Sequence, residues 1–386
     1  MRTPKWIVLF TFIILCGCWD RTEINDLAFV TGTSLDLLED GTMSCSLQIA
    51  IPTTTETGNS TKDNERFFII SAEGKNGNEI HQKLQKKISR TLFLSHRSII
   101  FIGERLAKHG IKDALDIFTH DPRNRLKTYI MIVKGEEGRS ILQINYPLKQ
   151  LTIEAVKEIG LSGEDLAVTL RDFFISSVSE GVHPVVGGIE PDIHSKGTKN
   201  QNFNLTGAGV FKDYKLLGFL NEKEALGMMW LTDKLKSGRI TANLPKYNGE
   251  VGMRLIHANR KIIMQTMDDT VKFKVQLEGE GSLIENTTGL NINEPKDLKI
   301  VKSALEDATK KQVQNSLFKI QKKYKVDSIG FGREVHKNNP EKWAVLKKQW
   351  DENFPEIDIS LDVKLVIKGT GMVNSFLELP EKENEK

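Results

Sequence analysis

Apolar positions recur along this chain with two periods, and the periods divide it into strands and helices. Residues 27–38 are apolar and β-branched, and 44–51 (SCSLQIAI) alternate, so the two predict a hairpin closed at Glu39-Asp40-Gly41. Strands are also expected at 67–71, 96–103 and 128–133. Ile80, Leu84 and Ile88 stand at helical spacing within 79–89, and another helix opens at 104–109 and continues over 111–118. Two more are expected over 148–158 and 164–178, the second with Leu166, Leu170, Phe173 and Phe174 on one face. Residues 53–65 lack apolar periodicity and read as an exposed loop. Residues 181–199 turn to Gly, Pro and polar side chains, which puts a domain boundary near 195–203.

Beyond that break, 203–211 and 215–219 predict a hairpin around Lys212-Asp213-Tyr214. A helix over 222–231 begins at Asn221, with Glu224 completing a capping box. Residues 250–256 and 262–265 read as strands, and 270–278 (TVKFKVQLE) alternates so regularly that one face is apolar and the basic residues point outward. A long helix is expected over 295–325, with Leu298, Val301, Leu305, Ala308, Val313, Leu317, Ile320 and Tyr324 along its buried side. Its opposite face is rich in Lys, Glu and Gln. A shorter helix over 340–351 carries Trp343, Leu346 and Trp350. The closing strand, 357–368, alternates Ile359, Leu361, Val363, Leu365 and Ile367 with Asp358 and Asp362 on a solvated face. The pattern is that of an α+β, multi-domain protein, with mixed and antiparallel β-sheets packed with α-helices.

The first residues follow another logic. Arg2 and Lys5, a short apolar run from Trp6 to Leu15, and Gly17 before Cys18 form the pattern of a secretory signal peptide. The run is well short of the roughly 20 residues a spanning helix needs. Cleavage between Gly17 and Cys18 would expose Cys18 as an S-diacylglycerol, N-acylated cysteine on the mature N-terminus. Cys16 stands where Ala or Ser is more usual, and an uncleaved anchor is the competing reading. The chain then divides into a signal peptide (1–17), an N-terminal α/β region with room for two subdomains (18–200), a C-terminal domain (201–376) and a charged tail (377–386).

Composition narrows the chemistry. The 386 residues, 39% hydrophobic and 27% charged, suffice for two or three packed domains. Arg2 and Lys5 account for two of the formal +3 charges, so the mature chain carries +1, a balance that speaks against nucleic-acid binding. Of three cysteines only Cys45 is left as a free thiol, and it reads as a buried small hydrophobe. No phosphate loop, dinucleotide fingerprint or nucleophile elbow occurs, and Gly207-Ala208-Gly209 reads as close backbone packing inside a strand. His183 and His194 read as ordinary loop histidines ahead of a metal pair, and Asp268-Asp269 lacks the alternate oxygens of a calcium loop. Asp121-Pro122-Arg123-Asn124-Arg125 is a turn whose arginines either hold an anion or pair locally. No catalytic, metal or cofactor site is expected, and the chain does not read as an enzyme.

Four segments carry a resemblance. They are Gly17-Cys18-Trp19-Asp20 followed by Glu23-Ile24-Asn25-Asp26-Leu27-Ala28; HRSIIFIGERLAKHG over 96–110 with the Asp121–Arg125 turn; LTGAGVFKDYKLLGFL over 205–220, continuing to Met229-Trp230-Leu231; and DSIGFGREVHKNNPEKW over 327–343, then Trp350 through Gly369. In this order the chain resembles the Ger(x)C lipoproteins, the C subunits of nutrient germinant receptors in spore-forming bacteria. Cys16 departs from the family's lipid-attachment pattern, and His120 stands where the family has arginine. The resemblance implies a three-domain α/β-type fold and a non-catalytic subunit held by the Cys18 lipid on the outer face of the cell membrane, in spores the inner spore membrane. It also implies two integral membrane partners, the A and B subunits, and leaves open whether this subunit touches the nutrient. The second reading is a solute-binding lipoprotein that captures the germinant, which calls for two doubly wound lobes. Candidate partner surfaces are the 53–65 loop and the polar face of the 295–325 helix.

Overall fold

The computed structural model describes residues 22–51, 66–121, 123–147, 151–163, 165–195, 201–267 and 270–369. The chain opens as an antiparallel meander of β1 (Leu27–Leu37), β2 (Met43–Ala50) and β3 (Phe67–Gly74). The hairpin expected around Gly41 is therefore present, and Cys45 on β2 is buried, as its alternation predicts. β4 (Thr91–Phe93) and β5 (Ile99–Gly103) run parallel to β1, and β6 (Tyr129–Val133) runs parallel to β5. The short β7 (Val168–Thr169) lies against β6, β8 (Val185–Pro191) is parallel to β6, and the hairpin of β9 (Phe203–Lys212) and β10 (Lys215–Leu220) completes the sheet. Its spatial order is β10-β9-β8-β6-β5-β1-β2-β3, with β4 on β1 and β7 on β6.

Helices cover both faces of this sheet. Ile100 and Ile102 pack into one core with Leu84, Leu115, Phe118 and Phe173, whereas Ile99 and Phe101 face a second core with Ile141, Leu142 and Ile153. A strand buried on both sides reads as an unbroken apolar run, which is why β5 and β6 were legible. Helix boundaries differ more from expectation. The 104–118 helix is two, Glu104–His109 and Lys112–His120, broken where Gly110 takes φ +130°. The expected 164–178 helix begins only at Leu170, capped by Thr169, because Val168 and Thr169 are spent on β7. The Gly/Pro-rich 181–199 stretch contains β8, a strand inside the sheet. The sheet thus continues across residues 195–203, with β9 and β10 lying beyond them.

The second sheet is one-sided. It comprises β11 (Gly238–Leu244), β12 (Gly249–Met267), β13 (Thr270–Asn286) and β14 (Ile359–Gly369), antiparallel except for the parallel pair β13 and β14. β12 is a single strand where two were expected, because β13 pairs with it through the polar Asn259-Arg260-Lys261 stretch. The Pro295–Phe318 helix covers this sheet and continues as a π-helical turn, Lys319–Tyr324, that ends at Lys325 with φ 54°. Val301, Leu305, Val313, Leu317 and Ile320 are buried along it, as their spacing predicts. The 340–351 helix is instead Pro340–Leu346, a short turn, and Trp350–Asn353. A four-stranded, largely antiparallel sheet is no second doubly wound lobe, so the architecture required by the capture reading is absent from the described residues between 238 and 369.

The two sheets share one core. The Glu222–Leu231 helix lies between them, with Met228, Met229, Trp230 and Leu231 all buried. Its start has the expected capping box, Asn221 Oδ1 accepting from Glu224 N at 2.9 Å and Glu224 Oε2 from Asn221 N at 2.7 Å. Gly207 packs as anticipated, since a Cβ there would strike the Leu220 carbonyl oxygen.

Candidate functional site

A seam of backbone and side-chain hydrogen bonds joins the first sheet to the helices after the long one. Its centre is Asp327, wholly buried. Oδ1 accepts from Ile329 N at 3.1 Å and Gly330 N at 2.7 Å; Oδ2 accepts from Gly332 N at 2.7 Å and Trp350 Nε1 at 3.2 Å. Burial raises the pKa of this carboxyl, while the backbone donors of Gly332 and Gly330 oppose the shift. The cage shapes the start of the Phe331–Asn338 helix, an element that the sequence pattern did not predict.

From this cage the seam reaches the first sheet through the backbone. His183 N donates to the Asp327 carbonyl at 2.8 Å, and Arg333 N donates to the Gly181 carbonyl at 3.3 Å. Gly181, at φ +72°, packs directly on Gly332: a Cβ on Gly181 would lie 2.6 Å from the Gly332 carbonyl carbon. Side chains extend the contact. Trp343 Nε1 donates to Glu180 Oε2 at 2.7 Å and Lys347 Nζ to Glu180 Oε1 at 3.1 Å. Asp351 takes Lys212 Nζ at 2.7 Å and lies 3.3 Å from His183 Nε2. His183, then Lys212, hold the Asp351 carboxyl down at a pKa of about 2. Beside these groups runs an open groove of about 760 Å³. Glu180 and Asp351 along it are engaged by cations or an indole N–H, so this part of the groove suits rigid coupling between two parts of a chain.

A second depression lies at the carboxyl ends of β1, β5 and β6. The helix after β5 leaves toward one core and the Gly138–Leu142 helix after β6 toward the other, the divergence that opens a crevice in α/β sheets. Asp36, 3% exposed, sits at its base and accepts from Gly138 N at 2.6 Å and Arg139 N at 3.2 Å. Desolvation nonetheless raises its pKa to about 6.

The residues singled out from the sequence fall in different places. Cys18, the loop over 53–65, Pro122, Asp268-Asp269 and the tail lie outside the described residues. His183 belongs to the seam, whereas His194 follows the far end of β8, about 20 Å away at the rise of a strand, so the two share no metal. Among the described residues no group of three or more His, Cys, Asp or Glu could hold one. Arg123 pairs locally, Nη2 lying 2.7 Å from Asp121 Oδ2. His120 is exposed and contacts Asp116 of its own helix at 3.4 Å. Asp358 and Asp362 are exposed as expected and pair with Lys272 and Lys274. The outer face of the Pro295–Phe318 helix bears Phe318, 66% exposed, beside a groove that includes Lys311, Asn315 and Lys323.

Two family models match in succession. Residues 20–191 match one described as spore germination protein N-terminal domain, and residues 206–371 match one described as spore germination B3/GerAC like, C-terminal. Among curated proteins, the putative spore germination protein YfkR of Bacillus subtilis (strain 168) is 27% identical over 95% of this chain and 96% of its own length. Spore germination protein KC of the same organism is 26% identical over 96% of each chain, and spore germination protein B3 is 24% identical over 95% and 97%. The crystal structure of the GerBC protein matches in fold with a TM-score of 0.58, at 18% identity over 90% of this chain and 100% of that one.

Proposed function

Because the chain belongs to the spore germination B3/GerAC-like family, we propose that it is the lipid-anchored C subunit of a nutrient germinant receptor, acting beside integral membrane A and B subunits. The observation that carries this reading is coverage: both family models match in order, and the germination relatives align over nearly their whole lengths. As a member of a germination family and not an enzyme family, the chain is non-catalytic.

The tether in this reading is Cys18, acylated after removal of 1–17, on the outer face of the cell membrane and in spores on the inner spore membrane. No helix among the described residues is long and apolar enough to cross a membrane. A diacylglyceryl cysteine supplies the two chains that stable anchoring requires. Cys18 precedes β1 by nine residues, a reach of at most about 30 Å, so the edge where β1 begins would face the headgroups. Arg125 and Lys127, both exposed just before β6, belong to that edge and suit an anionic surface. The Phe318 face is the candidate contact for the A and B subunits. Replacing Cys18 by Ala should move the protein out of the spore membrane fraction and impair nutrient-triggered germination. A Cys18→Ala protein that germinates normally at native abundance would sink the proposal.

A further inference from the structure

A cavity of about 50 Å³ lies between β1, β2 and the helices covering them, lined mainly by apolar side chains such as Leu35, Leu84 and Phe118. Two polar groups in that lining are incomplete. Arg97 is 8% exposed; its Nη1 donates to Asn124 Oδ1 at 3.1 Å and its guanidinium lies 4.9 Å from the centre of the Phe118 ring. Its Nε, however, is enclosed without a hydrogen-bond partner, and so is the Oγ1 of Thr33, a residue 1% exposed. No described carboxylate forms an ion pair with Arg97, because Asp121, at the cavity rim, is taken by the Nε and Nη2 of Arg123.

A buried cation without its anion is costly, because Coulomb attraction must replace the lost hydration. Burial pulls the Arg97 pKa down only to about 10, so the charge persists at neutral pH. A cation–π contact and one amide bond return part of that loss, and an unpaired N–H remains. The missing group is therefore an acceptor, preferably anionic. Apolar walls disfavour a multiply charged, strongly hydrated anion such as phosphate. The volume, roughly that of four water molecules, limits the ligand to a few heavy atoms.

We propose that this cavity binds a small monocarboxylate with a short aliphatic tail, its carboxylate taking the N–H of Arg97 and the hydroxyl of Thr33 and its tail lying against Leu35, Leu84 and Phe118. The proposal goes beyond the receptor reading and does not rest on it.

The test uses the full-length chain with propionate as probe and propionamide, its neutral isostere, as control. Cys45 also lines the cavity, so occupancy reads out twice: by titration, and by protection of Cys45 from a small alkylating reagent, followed on its own peptide by mass spectrometry. Propionate should bind, and slow Cys45 alkylation, at least about tenfold more effectively than propionamide. Arg97→Met should remove that preference. Thr33→Val, which leaves the cation in place, should weaken propionate several-fold and guards against a folding defect in the first variant. Equal effects of propionate and propionamide on the wild-type chain, or undiminished propionate binding by folded Arg97→Met, would overturn the assignment.

Discussion

The two sheets of this molecule solve the burial problem in opposite ways. In the first, neighbouring residues of β5 point to opposite faces and both are lost to solvent: Ile100 and Phe101 are each 0% exposed. In the second, β13 alternates buried and more exposed positions over most of its length, with Phe273 at 2% exposure and Lys272 and Lys274 paired at the surface. The first sheet is a core in itself; the second owes its stability to the Pro295–Phe318 helix and to the seam. The contrast teaches where coupling has to run. A one-sided sheet can follow its neighbour only through the elements packed on its covered face, here the Glu222–Leu231 helix and the Asp327 cage.

The largest effect is expected at that cage. Asp327→Ala would leave Ile329 N, Gly330 N, Gly332 N and Trp350 Nε1 without their buried acceptor. Each such orphan costs on the order of 1–3 kcal/mol, so a total loss of at least about 4 kcal/mol is expected, reduced by whatever water enters. Chemical denaturation should then split into two transitions, with the second sheet melting first. A single transition at lower denaturant would mean that the seam does not couple the regions. Next in size are the paired deletions in β5. Ile100→Ala and Phe101→Ala should each cost about 2–5 kcal/mol, since neither face offers solvent to relax into. A cheap substitution at either position would erase the contrast between the sheets.

What was legible in the sequence follows the same divide. The unbroken apolar runs of β5 and β6, the alternation of β13 and the Asn221–Glu224 capping box each carry their cause within a few residues, and each is present. β11 was missed although GRITANL alternates buried and exposed as regularly as β13, because the segment is short and flanked by charged residues. The seam could not be read at all. Glu180 meets Trp343 across 163 residues, and the Asp327 carboxylate that takes Gly330 N and Gly332 N has no periodic signature in the sequence. Asp36 left a faint trace, a lone acid inside the apolar run of β1.

That aspartate gives the first sheet a pH dependence. Its folded pKa, about 6, lies above the ordinary 3.8, so folding favours the protonated form. Its contribution to stability is fully present below about pH 4 and is lost as pH rises through about 6, a change of roughly 3 kcal/mol over the window. Asp36→Asn should lack this dependence. The difference in unfolding free energy between variant and wild type, measured from pH 4 to 8, should therefore shift in favour of the variant up to a little above pH 6 and then level off. A constant difference would show that Asp36 titrates alike in the folded and unfolded chains.

The smallest expected effect is the sharpest test of one-sidedness. Lys274 lies 3.1 Å from Asp362 across the parallel pair of β13 and β14, and this salt bridge is the first cause of the lowered pKa of Asp362. The side chains are 39% and 52% exposed, open enough to water that screening and side-chain entropy cancel most of the attraction. Lys274→Ala should thus change stability by no more than about 0.5 kcal/mol, with the difference shrinking further as salt is added. Its neighbour Phe273 packs against Phe331, the ring planes tilted by 43° and the ring centres 4.7 Å apart. One residue along the strand, the direction of the side chain alone separates a core position from a dispensable one. A loss of several kcal/mol at Lys274 would mean that the outer face of this sheet is covered in the intact molecule, and the contrast with the first sheet would then vanish.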